Sequence, residues 1–132
     1  MSSAVNHPRH YNAHPSGIEA IDACELLGFN LGNALKYVFR ADHKSARTQD
    51  IEKAAWYLRR EAARCAVLSF VPRYDTDAVA LVRRVLALEP VGSPLFVVCA
   101  VIVADWEGVA KFVARLRAAA DALSALAAQG GT

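Results

Sequence analysis

Hydrophobic positions recur at helical spacing along most of this chain, and polar punctuation divides them into six segments. Ser16-Gly17-Ile18-Glu19 fits a capping box and predicts a first helix of about ten residues, with Gly28 as its stop. Leu31, Ala34, Leu35, Val38 and Phe39 form an apolar stripe that predicts a second helix from about Asn30 to His43. Thr48, with Asp50 in the first turn, suggests an N-cap for a third and longer helix reaching about Phe70, with Pro72 just beyond. A fourth helix is expected from about Thr76 to Leu88. Ser93-Pro94 offers an N-cap and an N1 proline for LFVVCAVIVADW. That segment is dense in β-branched residues, as a strand would be. No second strand candidate exists to pair with it, so a buried helix is expected. VAKFVARLRAAADALSALAA closes the chain as a last helix, and Gly108 marks the break before it.

The expected fold is therefore all-α: a compact bundle of about five to six helices, preceded by an extended loop containing histidines. The 132 residues suit a single domain, and a hydrophobic content of 55% excludes a disordered chain. Two halves differ in character. Residues 1–64 hold all four histidines and nine of the fifteen Lys and Arg. Residues 65–132 are rich in Ala, Val and Leu. Apolar positions on more than one face from Leu95 to Leu126 fit either an ordinary central helix or packing between subunits of a homo-oligomer.

A net charge of +2 argues against a surface for long nucleic acid but leaves room for a local phosphate pocket. Cys24, Cys65 and Cys99 lack a CxxC spacing and read as small buried residues of a reducing cytosol. The start of the chain, MSSAVNHPRHYN, has no apolar core and is not expected to be a signal peptide. The ten-residue apolar run Leu95–Ala104 is too short for a membrane span. A cytoplasmic protein without membrane attachment is expected.

Lys36, Arg40 and Lys44 stand four residues apart and share one helix face, with Asn33 a turn before them. Two readings are open. The row holds an anion such as phosphate, or its charges pair with Asp42, Asp50 or Glu52. Lys53 would join the same face if the second and third helices pack antiparallel. Asp50, Lys53 and Tyr57 share a face of the third helix, with Trp56 and Arg60 beside them. Trp56 or Tyr57 can stack on a base or serve as core. His7, His10, Tyr11 and His14 fall within eight residues, as general acid–base groups, as ligand donors or as fasteners of the loop. A metal site is not expected there. Glu19, Asp22 and Glu25 form an acidic row that can accompany Mg²⁺ and nucleotide or pair with the cations. The chain has no GxxxxGK[ST] phosphate loop, GxGxxG, nucleophile elbow, HExxH or EF-hand motif.

The blocks VNHPRHYN, IEAIDACELLGFNLGNALKYVFRADHK and QDIEKAAWYLRR together resemble a small bacteriophage nucleotide kinase family, many of whose members are catalogued only as a domain of unknown function. Its pattern runs approximately NHPxHY, IExID, GFxxGNAxKYxxRxxxK and D[LI]xKAxWYL, and the resemblance covers roughly residues 5–60. It implies transfer of a phosphoryl group from ATP or another nucleoside triphosphate, with Mg²⁺, to a deoxynucleoside monophosphate in a phage-infected or prophage-carrying bacterium. On this resemblance Asn33, Lys36, Arg40, Lys44 and Lys53 would hold phosphates. His7 and His10 would orient or deprotonate the attacking phosphate. Tyr11, Tyr37, Trp56 and Tyr57 would stack on or orient the nucleotide, and Asp50 would hold Lys53 or His10. Residues 65–132 match nothing in that pattern. The rival expectation is a non-catalytic module that sequesters a nucleotide or cyclic-nucleotide signal.

Overall fold

The computed structural model describes residues 14–41, 47–74, 76–104 and 108–130. Among them are six α-helices and no strand: α1 (Ala20–Cys24), α2 (Phe29–Ala41), α3 (Arg47–Leu68), α4 (Thr76–Ala87), α5 (Pro94–Val103) and α6 (Val109–Gly130). The all-α expectation holds, and no described helix is long and apolar enough to cross a membrane.

α3 is the axis of the bundle. Its buried stripe of Ile51, Ala54, Ala55, Leu58, Ala62 and Cys65 repeats at helical spacing. α2 lies along one side and α6 along the other. Both neighbours run antiparallel to α3. Asn30 meets Glu61 while Arg40 meets Asp50, and Arg59 bonds to Asp121 while Gly130 approaches Thr48. Leu31, Leu35, Leu58, Phe112, Leu116 and Leu123 are fully enclosed between these helices. Each contributes about 1.5–3 kcal/mol of burial relative to exposure.

The β-branched segment after Ser93 is helical because its first turn is well capped and its neighbours are helices. Ser93 Oγ accepts the Phe96 N–H at 3.1 Å, and Pro94 occupies the first turn. Leu95, Val98, Cys99, Val101 and Ile102 are buried, with Val97 and Val103 packed against the core. These side chains of α5 are thus covered within one chain. Among the described residues the large exposed apolar side chains are Ile21, Leu26, Phe29, Trp56, Val67, Leu68, Leu88 and Val91.

The start of the bundle departs from expectation. α1 is five residues long and is capped by Glu19, not Ser16. Glu19 and Asp22 form the reciprocal box, with Asp22 accepting the Glu19 N–H. Ser16 is occupied in a turn: its Oγ accepts the Ile18 N–H at 3.1 Å, and Gly17 has a φ of +75° that no helix tolerates. α3 already begins at Arg47, so Thr48 lies inside its first turn.

Gly32 allows α1 and α2 to meet. A Cβ there would stand 2.6 Å from the carbonyl oxygen of Cys24, at the end of α1. That distance is well inside contact range, so only glycine permits this approach.

Candidate functional site

The α2–α3 seam carries a run of cations and aromatics. Antiparallel packing sets Lys36 and Tyr37 of α2 opposite Lys53 of α3, the juxtaposition that the sequence made conditional. Lys36 Nζ lies 5.4 Å from the centre of the Tyr37 ring, Lys53 Nζ 5.3 Å and the Arg40 guanidinium carbon 5.9 Å. One phenol ring thus has three cations within 6 Å of its centre. Tyr37 stacks on Tyr57 with ring centres 6.0 Å apart and planes 12° apart. Phe29 and Trp56 stand edge-on to Tyr57, at 5.9 and 5.0 Å. Tyr37 and Tyr57 are half-buried, whereas Trp56 is 55% and Phe29 75% exposed. The Arg60 guanidinium stacks on Trp56 at 5.6 Å. Large apolar rings left in solvent beside cations form a surface suited to a planar, negatively charged ligand.

The cations are not equivalent. Arg40 Nε lies 3.8 Å from Asp50 Oδ2, and the Asp50 side chain is only 4% exposed. Asp50 therefore pairs with Arg40; the resemblance gave it Lys53 or His10, and His10 lies outside the described residues. Neither Arg40 Nε nor Asp50 Oδ2 has a hydrogen-bond partner among the described residues. Lys36 and Lys53 form no ion pair with a described residue. Asn33 is drawn off the row: its amide donates to the Phe29 carbonyl at 2.7 Å, within its own helix. Lys36 and Asn33 border a groove of about 460 Å³ between α1 and α2, with Ile21, Cys24, Glu25 and Phe29 around it. His7, His10, Tyr11 and Lys44 lie outside the described residues.

The acidic row does not gather. Glu19 and Asp22 cap α1, and only Glu25 borders the groove with Lys36. Among the described residues no three His, Cys, Asp or Glu side chains stand close enough to hold a metal ion. Burial drives the Cys24 thiol up to about 12 against a smaller opposing effect of Lys36, so it is no nucleophile at neutral pH. Burial also raises Cys65 and Cys99.

Two polar groupings were not legible as sites. Glu61 is 3% exposed on the core stripe of α3. It accepts from Arg64 Nε and Nη2 at 2.7 and 3.0 Å and from the Asn30 amide at 3.1 Å. Burial alone would raise its carboxyl, but these donors outweigh burial and hold it below its ordinary value. The sequence signal was present: a glutamate where the stripe Ile51–Ala54–Leu58–Cys65 calls for an apolar residue. The second grouping is built on His14. Its Nδ1 receives the Ser16 backbone N–H at 3.1 Å, so the ring hydrogen sits on Nε2, which donates to Glu89 at 2.8 Å. Ser93 Oγ donates to the other Glu89 oxygen, also at 2.8 Å. His14 thus fastens the start of the described chain to the cap of α5. Glu89 lies 75 residues away, beyond any local signal.

Residues 5–59 match the model of a family described only as a protein of unknown function (DUF3310). No curated protein and no solved structure matches this chain. The matched span ends within α3, so it contains Lys36, Tyr37, Arg40, Asp50, Lys53, Trp56 and Tyr57 and stops just before Arg60.

Proposed function

We propose that this protein binds a nucleotide on the α2–α3 seam and transfers a phosphoryl group from a nucleoside triphosphate to a deoxynucleoside monophosphate. The observation that carries the proposal is that Lys36 and Lys53, from two helices, both approach the Tyr37 ring and neither forms an ion pair with a described residue. Like charges held together repel, and a phosphate between them reverses the sign of that interaction. Arg40, already neutralised by Asp50, positions the Tyr37 ring and adds less charge of its own. Trp56 and Phe29 offer exposed ring faces for the base.

In the proposed reaction the bond between the terminal phosphorus and its bridging oxygen breaks. A phosphate oxygen of the monophosphate forms the new bond, and two diphosphates leave. Such transfer depends on positioning and charge stabilisation more than on covalent help, which suits a cationic cluster. Mg²⁺ would enter with the triphosphate, because it is commonly held by phosphate oxygens, waters and one or two carboxylates. Glu25 is the carboxylate bordering the Lys36 groove among the described residues. His7, His10 and Lys44 are assigned the acceptor and donor phosphates on the resemblance alone. A bacterial cytoplasm, a phage or prophage setting and self-association belong to the same proposal.

The test is turnover. Purified protein is incubated with ATP, Mg²⁺ and each deoxynucleoside monophosphate, and products are separated by chromatography. Lys36→Ala controls for contaminating kinase. Diphosphate made by the parent and not by the variant supports the proposal. Nucleotide binding without product replaces it with the sequestering module.

A further inference from the structure

At the far end of the same seam lies a second cavity, of about 620 Å³, between the α1–α2 turn, the middle of α3 and the segment before α4. Arg60, Arg64 and Arg73 all line it, together with Tyr74, and Leu26 and Pro72 supply an apolar wall. Glu61 is the single carboxylate on its lining among the described residues, which together carry three positive charges against one negative. That carboxylate is already committed. It grips Arg64 through two hydrogen bonds, and the Arg64 guanidinium also lies 4.8 Å over the Phe70 ring. Arg64 is thereby held in one orientation, and its remaining N–H groups meet no acceptor among the described residues. Arg60 is likewise steadied by Trp56. The Tyr74 hydroxyl is buried and has no hydrogen-bond partner among the described residues, a state that buried hydroxyls rarely keep.

We infer that this cavity is a second anion site, built for the phosphomonoester dianion of a small ring-bearing molecule. Planar guanidinium groups match phosphate oxygens in pairs, and the surplus of two positive charges matches a dianion. The volume suits a small ligand, and the wall of Leu26 and Pro72 suits an apolar ring. Nucleoside monophosphates belong to this class. Its arginines are distinct from the Lys36–Lys53 pair, although Phe29 borders both. Arg60 lies seven residues beyond Lys53, about 10 Å along α3 at 1.5 Å per residue. The inference therefore stands or falls separately from the proposed function. Nothing in the sequence suggested it, because Arg73 joins Arg60 and Arg64 only when the chain turns back after α3.

The test is an amide-resolved NMR titration of the full chain with 2′-deoxyadenosine 5′-monophosphate. Three proteins are compared: the parent, Arg60→Gln/Arg73→Gln and Lys36→Gln/Lys53→Gln. Arg64 is left intact because its removal would strand the buried Glu61 charge. Shifts at residues 60–74 that weaken about ten-fold or more in the arginine variant alone are expected, as for loss of charge-assisted hydrogen bonds. Shifts confined to residues 36–53 overturn the second site and leave the first. Shifts confined to residues 60–74, lost in the arginine variant, uphold the second site and remove the first. Shifts at 60–74 that survive the arginine substitutions, or no shifts anywhere, overturn it.

Discussion

Gly32→Ala sets helix propensity against packing, and the structure decides the sign. In an ordinary helix interior alanine replaces glycine with a gain of about 0.5–1 kcal/mol. Here the new methyl would lie 2.6 Å from the Cys24 carbonyl oxygen and 3.5 Å from its carbonyl carbon. Both atoms are backbone, so no rotamer change relieves the contact. α1 or α2 must shift by several tenths of an ångström, and overpacking of this kind costs about 1–3 kcal/mol. With a backbone obstacle the cost falls in the upper part of that range, leaving a net loss of about 1–2 kcal/mol. For a chain of this size that lowers Tm by roughly 3–8 °C. The assay is thermal unfolding followed by circular dichroism, with Gly130→Ala as control. A Cβ at Gly130 meets Thr48 Oγ1 at 3.5 Å, an ordinary contact, and Tm should stay within about 2 °C. A Gly32→Ala protein melting at or above the parent would refute the close approach of α1 to α2. The groove bordered by Lys36 would then need a different wall.

Other expectations test the two polar groupings and the seam. Because Glu61 is held below its ordinary 4.5, its stabilising effect is complete above that value and is lost as pH falls through the folded value. Urea midpoints from about pH 6 to pH 3 should therefore fall less steeply in Glu61→Gln than in the parent, and parallel curves would contradict the buried pairing. His14→Ala removes the donor to Glu89, whose side chain is 11% exposed, and should lower unfolding free energy by about 2 kcal/mol. An unchanged urea midpoint would show that this fastening carries no stability. Trp56→Ala should leave stability within about 0.5 kcal/mol, since the ring is largely exposed, yet weaken nucleotide binding by about ten-fold or more. Equal affinity in calorimetry would remove Trp56 from the site. The three thiols, all raised by burial, should resist iodoacetamide at about pH 8 until the protein is unfolded, and rapid native labelling would contradict their burial.

The helical elements and the cationic spacing were legible because both are local. An apolar residue every three or four positions implies a helix whatever surrounds it, and Lys36 and Arg40 share a face for the same reason. Even the β-branched run after Ser93 resolved correctly, from its cap and the lack of a partner strand. The first helix was misplaced because Ser16 and Glu19 satisfy the same capping pattern, and only the turn that engages Ser16 separates them. What tertiary structure alone decided is which charges survive. Asp50 neutralises Arg40 from another helix, Asn33 turns back onto its own backbone, and Lys53 joins Lys36 only because α2 and α3 run antiparallel. The same packing buries Glu61 against Asn30 and gathers Arg73 beside Arg60 and Arg64. Electrostatic strength depends on distances and burial between segments remote in sequence. The residues that supply the chemistry were therefore written in the chain, while their effective charge was set by the fold.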